Sequence, residues 1–418
     1  MKPLANTEAL DEAVRKAVAE VRITDIHTHL FPPSHGELLL WGVDELLTYH
    51  YLVAELFTIA PRDLTPEAFW AMSKPQQADQ VWEHVFVRHG ALSEAARGVV
   101  TALNRLGLDV AGRDLAGIRR WFADQKVEDY LHKVFELAGL DRAVMTNDPF
   151  KAEEVVPWQA NRPGLDCLTA ALRIDTLLLT WKSACQTMTA AGYKAGGRLP
   201  AGPHAEEARR FLRDWAARIQ PVYMAASLPP EFRYPDDAGI REVFDQVVLP
   251  VAEELGLPMA MMIGVRKQVN PALGDGGDGV GVADVTAVQN LCAAHPNVKF
   301  LVTMLSRVNQ HELCVAARKF GNLHLFGCWW FCNDPSIVEE ITRMRLELLG
   351  ATFTANHSDA RVLDQLVYKW PHTRAIVADV LADKYRLLFE AGWRPTAEEI
   401  TRDVRALFGG AFEEFLAK

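Results

Sequence analysis

Arg22-Ile-Thr-Asp-Ile-His-Thr-His29 reads as a short buried strand that ends in two histidines. Successive strand side chains point to opposite faces, so His27 and His29 share one face. Two imidazoles on one face at the C-terminal end of a strand can bind a single metal ion. A His-x-His pair alone is weak evidence. This one follows Asp25, lies near the N-terminus and ends the first of a series of strand-like runs.

The other runs follow in order: 142–147, 167–175, 221–228, 257–264, 297–305, 323–331 and 351–359. Each is short and continuously apolar, with helical stretches between them. That alternation predicts a parallel sheet covered on both faces. Eight such units predict a (β/α)8 TIM barrel, with its active site at the C-terminal strand ends. An open doubly wound sheet is the alternative. Polar residues recur at most of the eight strand ends, which favours the barrel. The expected organisation is an N-terminal helix and first strand over 1–29, a helical cap inserted over 30–140, and the rest of the barrel over 141–418. In the cap, Leu46, Leu47, Tyr51 and Ala54 fit one helix face; Val99, Leu103 and Leu106 fit a second; Trp121, Val127, Leu131, Val134 and Phe135 fit a third. Gly139 is expected to cap the last helix. Gly274-Asp-Gly-Gly-Asp-Gly-Val-Gly281 invites a phosphate-loop reading, but no Lys-Ser/Thr follows and its aspartates repel phosphate; a flexible connection is expected there.

The chain of 418 residues carries a formal charge of −10 and is 49% hydrophobic. The acidic balance argues against nucleic acid or an anionic membrane as partner. No apolar run approaches the roughly 18 residues of a membrane span. The six cysteines form no Cys-x-x-Cys pair and read as reduced, mostly buried thiols of a cytoplasmic protein. A homo-oligomer is compatible with all of this.

In a closed barrel the first and eighth strands are neighbours. His27 and His29 can therefore converge with Asp359, from Asn356-His-Ser-Asp-Ala-Arg361, on one divalent ion. Three protein ligands with one position open describe a catalytic site. Imidazole plus carboxylate suits Zn2+ first, with Mn2+, Fe2+ or Co2+ as alternatives. His357, two residues before Asp359, is expected to orient it. Arg173, Arg266 and Arg361 follow three apolar strands and suggest a convergent anion site. Trp329 and Trp330 should alternate faces, one lining the pocket and one packing beneath the helices.

This arrangement resembles the amidohydrolase superfamily and, within it, the uronate isomerase family, along nearly the whole chain. The resemblance rests on Asp25-x-His27-x-His29, His50-Tyr51, Thr146-Asn-Asp-Pro149, Arg173-Ile-Asp175, Ile263-Gly-Val-Arg266, Gly327-Cys-Trp-Trp-Phe-Cys-Asn-Asp334 and Ser358-Asp-Ala-Arg361. It implies a metal-dependent aldose–ketose isomerase that acts on a uronate or related sugar acid by C2-to-C1 proton transfer through an enediolate. His50, Tyr51 and Asp359 would be the catalytic group; Arg173, Arg266, Arg361, Trp329 and Trp330 would hold the substrate. Hydrolytic relatives add His or Lys ligands after strands 4, 5 and 6, and none stands in Ala225–Ser227, Met261–Ile263 or Met304–Ser306. A hydrolase, decarboxylase or dehydratase, or a non-catalytic ligand-binding barrel, is the alternative. The chain departs from the family at Met262, where a histidine is expected, and after strand 4, where an Asp-His pair is absent. Those departures predict a preference for a modified sugar acid over plain glucuronate and galacturonate.

Overall fold

The computed structural model describes residues 3–235 and 239–418. Among the described residues seven parallel strands form one curled sheet in chain order. They are β1 (Ile23–Thr28), β2 (Leu140–Asn147), β3 (Leu168–Arg173), β4 (Met224–Leu228), β5 (Met259–Ile263), β6 (Phe300–Met304) and β7 (Leu323–Leu325). β5 and β6 are buried at every position, as strands covered on both faces must be.

The eighth position of the barrel is occupied without a regular strand. Residues 351–359 make a single bridge, Thr354 to Phe326. Closure comes from hydrogen bonds at the two ends of this segment. Gly327 N donates to Thr354 O and Thr354 N to Leu325 O, both at 3.0 Å. At the other end Asp359 N donates to His27 O at 3.1 Å and His29 N to Ala360 O at 2.8 Å. Between them Ala355 N turns away to Leu407 O, and Asp359 takes φ 50, so the pleat is lost. The barrel is closed as expected, but the expected strand over 351–359 is an irregular closing segment.

The barrel interior carries small residues, Ala171, Ala225 and Ala260, and the space beside them goes to Tyr223, Phe412 and Phe415. The outward strand faces pack on the surrounding helices in a much larger core that includes Met145, Leu172, Met224 and Met261.

Between Pro33 and Ala138 the chain forms helices and turns. Thr48 and Tyr49 break the first expected face into Val43–Leu47 and His50–Ile59. The third is likewise two helices, with Trp121 on Leu115–Ala123 and the other four residues on Val127–Ala138. Gly139 caps that helix at φ 73, where a Cβ would be strained. The glycine-rich loop is not a loose connection. It folds as a hairpin, Val265–Arg266 against Gly279–Val280, around a helical turn at Pro271–Gly277 that packs on His50–Ile59. Among the described residues no helix is long and apolar enough to cross a membrane.

Candidate metal centre and substrate pocket

β1 delivers His27 and His29 to the C-terminal mouth of the barrel. The closing segment delivers Asp359. His29 Nε2 lies 3.3 Å and His27 Nε2 3.7 Å from Asp359 Oδ1. One ligand atom from each residue falls within 4.8 Å of the others.

The far side of each imidazole is already engaged. Tyr223 donates its hydroxyl proton to Ile26 O at 2.6 Å, so its oxygen accepts from His27 Nδ1 at 3.1 Å. Thr146 donates to Thr28 O, so its oxygen accepts from His29 Nδ1 at 3.0 Å. Both rings are thereby set as the tautomer whose Nε2 lone pair faces Asp359. Among the described residues, buried His27 Nε2 and Asp359 Oδ1 have no hydrogen-bond partner. Two imidazole nitrogens and a carboxylate turned toward one another fit a divalent cation.

Burial pushes His27 down to about 3 and His29 to about 4, so both are uncharged at neutral pH, as ligands must be. Burial alone would raise the Asp359 carboxyl. The imidazoles of His29, His27 and His357 outweigh it and hold that group below the usual carboxylate range.

His357 does not orient Asp359 by hydrogen bonding. Among the described residues neither of its ring nitrogens has a partner. Its ring stands edge-on to His27 with centroids 5.5 Å apart, and packs where a Cβ on Gly327 would fall 1.6 Å from Nδ1. The left-handed backbone at Asp359 breaks the two-residue alternation that would have placed both side chains on one face.

A pocket of about 130 Å3 opens on the three ligands. Arg173 lines it, held by a bidentate pair to Asp175 at 2.8 and 3.0 Å. Asp175 also accepts from Ser227 N, so this guanidinium is fixed by two strands. Arg361 lines the pocket and reaches Asp275 of the hairpin at 2.8 Å. Arg266 does not line it; that side chain is exposed. Lys267 stands in the wall instead, paired with Asp278 at 2.6 Å. Val265 is buried and Arg266 and Lys267 are both exposed, and of these two cations Lys267 alone lines the pocket.

Trp329 and Trp330 both line the pocket. β7 has ended at Leu325, and Trp330 takes φ 46 at the start of a helical turn, so strand alternation no longer applies. Met262 and Ser227 complete the wall on the strand 4 and 5 side. His50 belongs both to this pocket and to a neighbouring cavity of about 460 Å3. Tyr51 lines only that second cavity, edge-on to His50 at 4.5 Å. Its buried hydroxyl has no partner, and burial pushes the phenol well above its ordinary value.

No family model matches the chain, and no curated protein matches it. Solved structures do. A uronate isomerase from Bacillus halodurans C-125 is 50% identical, with 99% of this chain and 98% of that one covered and a TM-score of 0.96. A uronate isomerase from Thermotoga maritima matches over 99% of this chain and 100% of its own at 15% identity and TM-score 0.74. A glucuronate isomerase from Caulobacter crescentus matches over 98% and 94% at 14% identity and TM-score 0.75. The last two share the fold.

Proposed function

The chain belongs to the uronate isomerase family, and on that premise we propose that it interconverts the aldose and ketose forms of a uronate with one divalent ion, Zn2+ first, held by His27, His29 and Asp359. The observation that carries this reading is the convergence of those three side chains, whose ligand atoms all lie within 4.8 Å of one another. When bound, the ion would polarise the substrate's carbonyl and the hydroxyl beside it.

The chain's own residues divide the remaining work. Arg173 is pre-set by Asp175 and, with Arg361, binds the carboxylate and hydroxyls of the substrate. Lys267 adds a second cation on the hairpin side. Trp329 and Trp330 exclude water and pack against the carbon chain. Asp359, and not Tyr51, is favoured as the base. It is charged at neutral pH and faces the pocket, whereas burial keeps the Tyr51 phenol protonated behind His50. Asp359 takes the C2 proton and returns it to C1 while the O2 proton passes to O1, and His50 lies at the pocket wall near the developing enediolate. The buried free cysteines fit a cytoplasmic setting.

Met262 in the pocket wall favours a second reading of the substrate, a sugar acid with a substituent or a deoxy position facing that thioether. The experiment is an NMR-monitored panel of glucuronate, galacturonate and modified sugar acids. Isomerisation conserves mass, so a new ketose signal without loss of any atom is expected. Release of CO2 or water, or no turnover of any member by metal-loaded protein, would overturn the isomerase reading. A kcat/KM on glucuronate or galacturonate within about tenfold of 10^4 M−1 s−1 would remove the second one.

A further inference from the structure

Asp359 is the ligand that no regular strand positions, and φ 50 is a backbone state that non-glycine residues adopt only under constraint. The constraint is visible one residue earlier. Ser358 is buried, and both of its peptide groups are held by charged side chains. Its N–H donates to Asp25 Oδ1 at 3.1 Å. Its carbonyl accepts from the ammonium of Lys369 at 2.5 Å. The other oxygen of Asp25 accepts from Trp370 Nε1 at 2.9 Å.

Lys369 and Trp370 are adjacent on the helix Leu366–Glu390. That helix therefore grips Ser358 twice, directly at the carbonyl and, through Asp25, at the N–H. Asp25 is fully buried and Lys369 is 4% exposed. Neither lines the metal pocket, and neither enters the proton transfer. Burying two charges is costly unless a structural requirement holds them there.

We propose that Lys369 and Asp25 are positioning residues, a two-sided clamp on the Ser358 peptide that aims the Asp359 carboxylate at His27 and His29. The inference rests on the metal centre of the proposed function, and it predicts metal affinity before activity. A free Ser358 peptide would let Asp359 relax out of its left-handed backbone and swing its oxygen away from the two imidazoles.

The test uses the full chain and the variants Lys369→Met, Lys369→Arg and Trp370→Phe. The readouts are Zn2+ affinity by chelator competition, the visible absorption of the Co2+-loaded protein, and kcat and KM separately. Lys369→Met should weaken Zn2+ binding about tenfold to a hundredfold. It should also shift the Co2+ spectrum and lower kcat while KM stays within about twofold. Lys369→Arg should restore part of the affinity, and Trp370→Phe should move it in the same direction by less. Unchanged Zn2+ affinity and Co2+ spectrum in folded Lys369→Met overturn the proposal. Where Lys369→Met does not fold, Trp370→Phe decides it by the same criterion. A parent protein that binds Zn2+ but isomerises no uronate overturns the functional reading and leaves this test intact; a parent that binds no divalent ion removes both.

Discussion

β1 and the closing segment are neighbours in the barrel and supply ligands to one centre, yet they aim them by different means. β1 is a regular strand. Its alternation puts His27 and His29 on one face, and backbone-anchored hydroxyls of Tyr223 and Thr146 fix their tautomers. The closing segment has no pleat. Asp359 reaches the same point because its backbone is left-handed and the residue before it is gripped from two sides. A ligand pair can thus come from secondary structure alone, while the third needs tertiary contacts made far along the chain.

The largest expected effect breaks both sides of that comparison. His27→Ala and Asp359→Ala should each lower metal content and turnover by more than about a hundredfold, beyond the range seen for outer contacts. The melting curve of the metal-free protein should change little, because the core is built by the strands and their covering helices. Elemental analysis and kcat/KM measure this, and either variant keeping full activity with bound metal would remove that ligand from the centre.

The second prediction isolates how the closing segment is tied at its other end. His324 of β7 is buried, and its Nε2 lies 2.9 Å from Thr354 Oγ1. Burial pushes this imidazole down to about 3. An unfolded histidine takes up its proton near pH 6.5, and the folded one resists down to about pH 3. Between those values the unfolded state binds the extra proton, so stability falls as the pH falls. The slope is about 1.4 kcal/mol per pH unit from this residue. Denaturant unfolding of the parent and of His324→Asn at pH 6.5, 5.5 and 4.5 should differ in slope by about that amount, whatever their offset. Parallel slopes would show that His324 titrates normally in the fold.

The smallest effect sharpens the comparison at the hairpin after β5, where two adjacent exposed cations differ in their access to the pocket. Lys267→Met should raise KM for the sugar acid several-fold, about 1 kcal/mol of lost charge-assisted contact. Arg266→Met, one residue away and facing outward, should stay within about twofold of the parent. Equal effects of the two would mean that the hairpin rearranges when substrate binds.

The sequence by itself determined the barrel. Short apolar runs separated by helical stretches have few ways to bury both faces of each strand, and a closed parallel sheet is the one that also brings polar ends together. It determined the histidine pair too, because a two-residue period is a local property of an extended chain. It put Gly139 at a helix end for the same local reason. Tertiary structure decided the rest. The eighth strand read as apolar as the others, but its hydrogen bonds went to Leu325, Leu407 and His27, and only those partners show that its pleat is broken. That break turned His357 away from its expected contact with Asp359, and the end of β7 at Leu325 let Trp329 and Trp330 into the same wall. Tyr223 and Lys369 carried no motif that marked their roles, and the motif that holds Asp25 beside the histidine pair did not show its hold on Ser358. Each acts through a residue between 11 and 333 positions away, and a contact across the fold leaves no period in the sequence from which to read it.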